Sequence, residues 1–183
     1  MTLPTIGYGR TAIGLHWLIA LLIFCAFPLG VYMHDLPFSP GRLKLYSYHK
    51  WLGVTVFLLA LARVAWRSTH PAPLPAGMPA WQRIASVATH HLLYVLILAV
   101  PVSGWLMSSA KGFQTVYLGI IPLPDLLTKD KAIGDMLTTV HQILNFTMAA
   151  LVLTHLAAAL KHYFVDRDEV LGRMIPLLDR KKS

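Results

Sequence analysis

The sequence predicts an all-α integral membrane protein, a four-helix bundle forming one domain over residues 1–183. Three observations predict it. Of the 183 residues, 56% are hydrophobic and only 13% are Asp, Glu, Lys or Arg, a balance too apolar for an ordinary water-soluble domain. Four apolar stretches, at about 11–33, 48–67, 83–108 and 136–163, each approach or exceed the roughly 20 residues that a spanning helix needs. The lysines and arginines gather at the ends of those stretches, so the formal charge of +8 reads as membrane topology and argues against nucleic acid as a partner.

The first stretch follows a single Arg10, exceeds the apolar region of a signal peptide and lacks a clear small-x-small cleavage site. It is expected to remain as a membrane helix. Met33-His34-Asp35 through Pro40-Gly41 separates it from the second stretch, and the proline-rich segment from His70 to Pro79 makes a stiff connection to the third. The third connection, about 109–135, is the longest. Within it the semi-hydrophobic run Val116 to Ile121 reads as a short element resting on the membrane surface. The fourth stretch leads into a polar tail at 164–183. Four spans place both termini on one side, and that side carries ten Lys and Arg against six opposite. The positive-inside rule therefore assigns both termini to the cytoplasm, with lipid around the bundle.

Chemistry is carried by histidine. The lone cysteine, Cys25, excludes a disulfide framework, a CxxCH attachment site and a thiolate metal cluster. His16 lies six residues after Arg10 and His155 six before Lys161, about 9 Å inside the cytoplasmic ends of their helices. His49 opens the second stretch on the outer side, and His141 lies near the outer start of the fourth. His141 and His155 are separated by fourteen residues, about 21 Å and close to the same helix face. Histidine is costly in hydrocarbon, so histidines matched in depth on different helices point to a ligand. Two neutral imidazoles at one depth are what a six-coordinate haem b requires, which suggests His16 with His155 and His49 with His141. Depth alone leaves other pairings open. With the two levels about 20 Å apart, electrons could cross the bilayer between them.

Small residues are expected beside a porphyrin. Gly53 follows His49 by one turn, Gly14 and Ala20 flank His16, and Ala158 and Ala159 follow His155. His90 and His91 point about 100° apart and cannot both face one haem, so they are read as non-ligands, one of them available to a propionate or a substrate. His34 and His70 fall in connections and are expected to be solvated. His162, seven residues beyond His155 on the same face, sits between the inner level and the membrane surface, where it could deliver a proton to a bound quinone.

Ile13-Gly14-Leu15-His16-Trp17, Tyr48-His49-Lys50-Trp51-Leu52-Gly53, Pro101-Val102-Ser103-Gly104-Trp105 and the run HLAAALKHYFVDRDEVLGRM from His155 to Met174 resemble the bacterial cytochrome b561 family, over nearly the whole chain. The resemblance implies a bundle with two haem b groups in its core and with axial iron ligands at His16, His49, His141 and His155. It implies residence in the bacterial inner membrane. It further implies oxidation of superoxide at the periplasmic face and reduction of ubiquinone near His162, which matches a histidine at the quinone end of that scheme. The family tail tends to show two adjacent histidines where this chain has His162-Tyr163. Arg42, Lys44, Lys50 and Lys111 could draw a small anion to the outer mouth, and Arg63, Arg67, Trp81 and Arg83 could surround a haem or quinone on the inner side, with the proline-rich connection as rim. The alternative is a non-catalytic electron-transfer subunit or anchor for a periplasmic redox partner. A histidine-lined metal or proton transporter ranks behind both, since no intramembrane carboxylate marks an ion path.

Overall fold

The computed structural model describes residues 8–70 and 79–178. The proline-rich rim expected at 71–78 and the basic end of the tail at 180–182 lie outside the described residues. Four long helices account for most of the chain: α1 (Arg10–His34), α2 (Pro40–Thr69), α3 (Ala80–Ala110) and α4 (Lys131–Lys161). All four are long and apolar enough to cross a membrane.

Helices α2 and α4 start well ahead of their apolar stretches, because caps rather than hydropathy set those starts. Before α2 the Ser39 hydroxyl accepts the Arg42 N–H at 3.2 Å and Pro40 takes the first helical position, so the helix starts about two turns ahead of the apolar run. At α4 the Asp130 carboxylate accepts the Ile133 N–H at 3.0 Å, which moves that start back to Lys131.

Among the described residues, close packing runs α1 on α2, α2 on α3 and α3 on α4. Helix α4 meets α1 and α2 through aromatic side chains: His16 with His155, His49 with His141, and Phe27 with Phe146 at 5.8 Å between ring centroids. The buried apolar cluster is small, with Leu96, Val100 and Met148 at its centre on α3 and α4, and Ile23 and Leu144 against it. Large side chains such as Leu21, Phe24, Val95, Ile143 and Leu153 face outward, as expected where lipid is the solvent.

The connection between α3 and α4 is ordered and clamped. Val116 pairs with Pro122 and Tyr117 with Ile121, an antiparallel two-residue hairpin, β1 (Val116–Tyr117) and β2 (Ile121–Pro122). Its turn takes Leu118 to φ 54° and Gly119 to φ 74°, the positive pair that a tight hairpin turn demands. Trp51 Nε1 donates to Val116 O at 2.7 Å, Lys50 Nζ to Phe113 O at 2.9 Å and Trp105 Nε1 to Pro124 O at 3.0 Å. Those bonds hold the loop against α2 and α3.

The tail is folded as well. A π-helical turn (His162–Asp166) ends at Arg167 in the left-handed conformation, φ 53°. The chain then turns back until Met174 O accepts Trp17 Nε1 at 2.9 Å, a bond to α1 over 157 residues of sequence. The segment read as a polar tail thus closes over the end of the bundle that carries the termini.

Candidate haem sites

The two histidine pairs suggested by depth are the pairs the fold brings together. His49 of α2 and His141 of α4 face one another with ring centroids 6.3 Å apart and planes at 90°. His16 of α1 and His155 of α4 do the same at 6.3 Å and 72°. An imidazole–metal bond of about 2.0 Å plus about 1.1 Å from nitrogen to ring centre, taken twice, gives about 6.2 Å across a bis-imidazole iron. Both separations fit an iron atom between the rings. Edge-to-face ring pairs also pack at about 4.5–7 Å between centroids, so it is the recurrence of a histidine pair at both ends of the bundle that points to a shared ligand.

At the loop end, away from the termini, His49 Nδ1 lies 3.0 Å from the Ala26 carbonyl, to which it can only donate. That leaves Nε2 free to ligate. His141 Nδ1 lies 2.9 Å from Ser103 Oγ, while the Ser103 hydroxyl donates to Val100 O at 2.8 Å, so the hydroxyl oxygen is the acceptor for His141 Nδ1–H. Each ring also rests on a glycine of the preceding helix. A Cβ at Gly30 would come within 2.9 Å of His49 Cε1, and one at Gly104 within 3.0 Å of His141 Cε1. In both helices a proline precedes that glycine closely, Pro28 in α1 and Pro101 in α3, and removes one N–H from the ladder. The same device therefore serves both hairpins.

At the terminal end the surroundings differ. Trp17 lies edge-on to His16 at 5.3 Å. Arg63 donates from Nε to Tyr94 Oη at 3.1 Å and from Nη1 to Ala12 O at 2.8 Å, bracing α2 against α3 and α1 at this level. His90 reaches His155, with ring centroids 5.1 Å apart, too close for an iron between them, and its Nδ1 is bonded to Ser86 O at 2.6 Å. His91 points elsewhere and bonds Val87 O at 2.8 Å. Their divergence follows from adjacent positions on one helix.

Other expected residues are less convergent. A Cβ at Gly14 or Gly53 would meet nothing within 4 Å, so no neighbouring protein atom demands glycine there, and either position could lie against a flat macrocycle. Arg67 stacks over Tyr8 at 5.6 Å and donates to His70 O at 3.3 Å, while Trp81 and Arg83 are exposed at the start of α3. Among the described residues, none of these three is bonded to His162. Its partners are Asp168 at 2.7 Å and Asp166 at 3.0 Å, neither of which sequence reasoning had singled out. The signal was present as His162-x-x-x-Asp166-x-Asp168. Gly30 was missed likewise, and Ser103 stood in the Pro101–Trp105 signature without a role, although both follow a helix-interior proline closely. His34 and His70 are exposed, His34 bonded to Asp35 and Gln142 and His70 stacked on Trp66 at 4.0 Å.

At the loop end Arg42 donates to His34 O at 3.1 Å and to Tyr46 Oη at 3.2 Å, and Lys50 to Phe113 O. These acceptors are uncharged, while Asp125 lies close enough to Lys50 to offset part of its charge. Lys111 by contrast pairs with Asp135 at 3.8 Å.

A family model described as prokaryotic cytochrome b561 matches residues 7–177. The chain is 34% identical over 171 residues to cytochrome b561 homolog 2 of Escherichia coli strain K12, covering 92% of this chain and 90% of that protein. It is 27% identical to cytochrome b561 homolog 1 of the same organism, over 92% of this chain and 97% of that protein. It is also 27% identical to a probable superoxide oxidase, CybB, of Yersinia pestis, over 92% and 96%. The four spans, the paired histidines and these matches converge: the chain is a multi-pass inner-membrane protein of haem-based electron transfer and belongs to the prokaryotic cytochrome b561 family.

Proposed function

We propose that this chain carries electrons across the membrane between two haem b groups, taking them from superoxide at the periplasmic face and giving them to ubiquinone near His162. The observation that carries the reading is the pair of 6.3 Å imidazole separations, one at each end of the bundle. The haem groups, when bound, supply one-electron redox chemistry and a conducting path through a low-dielectric core.

The residues divide the work. His49 and His141 hold the loop-end group and His16 and His155 the terminal-end group. Charge on Arg42 and on Lys50, the latter offset in part by Asp125, favours approach of a small anion to the loop end, which we take as periplasmic from the excess of positive charge at the other end. Two superoxide anions each lose one electron and leave as dioxygen; one ubiquinone gains both electrons and takes up two protons from the cytoplasmic side. His162, at the tail turn, is the proton donor placed for that end. The similarity to a probable superoxide oxidase supports superoxide as donor.

The test is a reduced-minus-oxidised spectrum of the purified protein with haem quantified per chain, followed by a superoxide pulse and then by quinone. Two b haems reduced by the pulse and reoxidised by quinone are expected. Two haems indifferent to superoxide would leave a carrier that serves another redox protein, and no haem in folded protein would overturn the ligation.

A further inference from the structure

The tail turn does more than bring His162 to the end of α4. Two carboxylates converge on one imidazole nitrogen, yet their surroundings set them apart. Asp166 is tied to Lys161, whose Nζ donates to Oδ2 at 2.7 Å and to Oδ1 at 3.0 Å. Among the described residues no lysine is paired with Asp168. Its Oδ1 accepts the Val170 N–H at 3.0 Å, and its Oδ2 lies 2.7 Å from His162 Nδ1. A backbone donor thus fixes one oxygen of Asp168 and aims the other at the ring. The π-turn makes this possible, because Asp168 N bonds to His162 O and so folds residue 168 back over residue 162.

Exposure is graded along the same line. The side chain of Lys161 is 47% exposed, those of Asp168 and Asp166 are 35% and 29%, and that of His162 is 13%. Carboxylates at a water margin, leading to a nearly buried imidazole, have the order of groups that a proton path requires. A histidine that donates Nδ1–H to a fixed carboxylate keeps Nε2 as its working atom.

We infer that Asp168 is the positioning carboxylate of His162: it holds Nδ1–H, presents Nε2 to a quinone oxygen, and together with Asp166 gathers protons at the cytoplasmic margin. The inference rests on the proposed quinone reduction at His162. In the step, protonated His162 gives its Nε2 proton to the quinone oxygen as electrons supplied by superoxide reach the quinone ring. The imidazole left behind is neutral and still bonded to Asp168 through Nδ1. Water at the carboxylates supplies the replacement proton, and two such deliveries balance the two electrons of quinol formation. Asp166 Oδ2 is shared between His162 Nδ1, at 3.0 Å, and Lys161 Nζ, at 2.7 Å, whereas Asp168 Oδ2 makes the shorter contact to the ring.

The experiment uses the full haem-loaded chain, reduced and then mixed with ubiquinone, with haem content measured for every variant. His162→Gln is expected to slow reoxidation; an unchanged rate would sink the quinone reading itself. Asp168→Asn is expected to slow reoxidation about tenfold at unchanged haem content, with partial rescue by added imidazole buffer. In the His162→Gln background Asp168→Asn should add nothing, since the two residues act as one unit. A slow His162→Gln beside a normal Asp168→Asn would overturn the role of Asp168 alone, and so would an Asp168→Asn effect that persists without His162. A second readout needs no turnover or variant fold: 15N spectra of the histidine-labelled wild-type chain should show the His162 proton on Nδ1 in the neutral ring. A bare Nδ1 there would refute the positioning.

Discussion

Gly30 of α1 lies under the imidazole of His49 of α2, and a Cβ added at Gly30 would come within 2.9 Å of His49 Cε1. The contact fixes how the ring stands, while the Ala26 carbonyl four residues earlier fixes which nitrogen carries the proton. Gly30→Ala should therefore turn the ring off the axis it shares with His141. The expected outcome is a loss of loop-end haem affinity of about 10- to 100-fold, read as haem per chain during dilution or dialysis. Gly104→Ala should do the same through His141, and full retention of both haems in either variant would contradict the cradle.

The ligand pairs can be separated by removing one ring at a time. His16→Ala or His155→Ala should remove one haem and leave much of the other, and His49→Ala or His141→Ala should remove the complementary one. Difference spectra with haem quantified per chain report this directly. Equal loss of both haems from one substitution would reject the proposed pairing.

Ser103 sits between Val100 O and His141 Nδ1. Its hydroxyl oxygen accepts the ring N–H and, with His141 as an iron ligand, would make the imidazole a better electron donor and favour the oxidised form. Ser103→Ala should raise the midpoint potential of the loop-end haem by on the order of tens of millivolts, with the other haem unmoved. A redox titration resolves the two; a fall in potential, or a shift in both haems, would refute the assignment.

The docked tail depends on Trp17 Nε1 donating to Met174 O. Trp17→Phe keeps most of the ring and removes that bond, at a cost of about 1 kcal/mol. Faster cleavage by a protease within residues 167–178, at unchanged haem content, is the expected result. Unchanged cleavage would show that the tail is held by other contacts.

Much of this was legible in the sequence because a bilayer leaves few options. A run of twenty apolar residues must be a helix, since every backbone group has to be bonded within the segment. Helix geometry then converts sequence distance into depth, which is why His16 could be matched with His155, and His49 with His141, before any fold was known. Residues whose importance depends on another helix did not stand out. Gly30 looks like any small residue of a membrane helix and Gly104 carried no role within its signature; only the approach of His49 and His141 distinguishes them from Gly14 and Gly53.

The sequence by itself determined four spanning helices, a histidine at each matched depth and the family to which the chain belongs, because hydropathy, spacing and motif are properties of the linear chain. The tertiary structure alone decided what surrounds each ring: which helix faces it, which nitrogen is bonded, and that the segment after Lys161 turns back to set Asp168 on His162 and Met174 on Trp17. Those outcomes depend on bonds from a side chain to a backbone carbonyl 23 residues away for His49 with Ala26 and 157 away for Trp17 with Met174, and on one π-turn whose hydrogen bonds no local pattern announces.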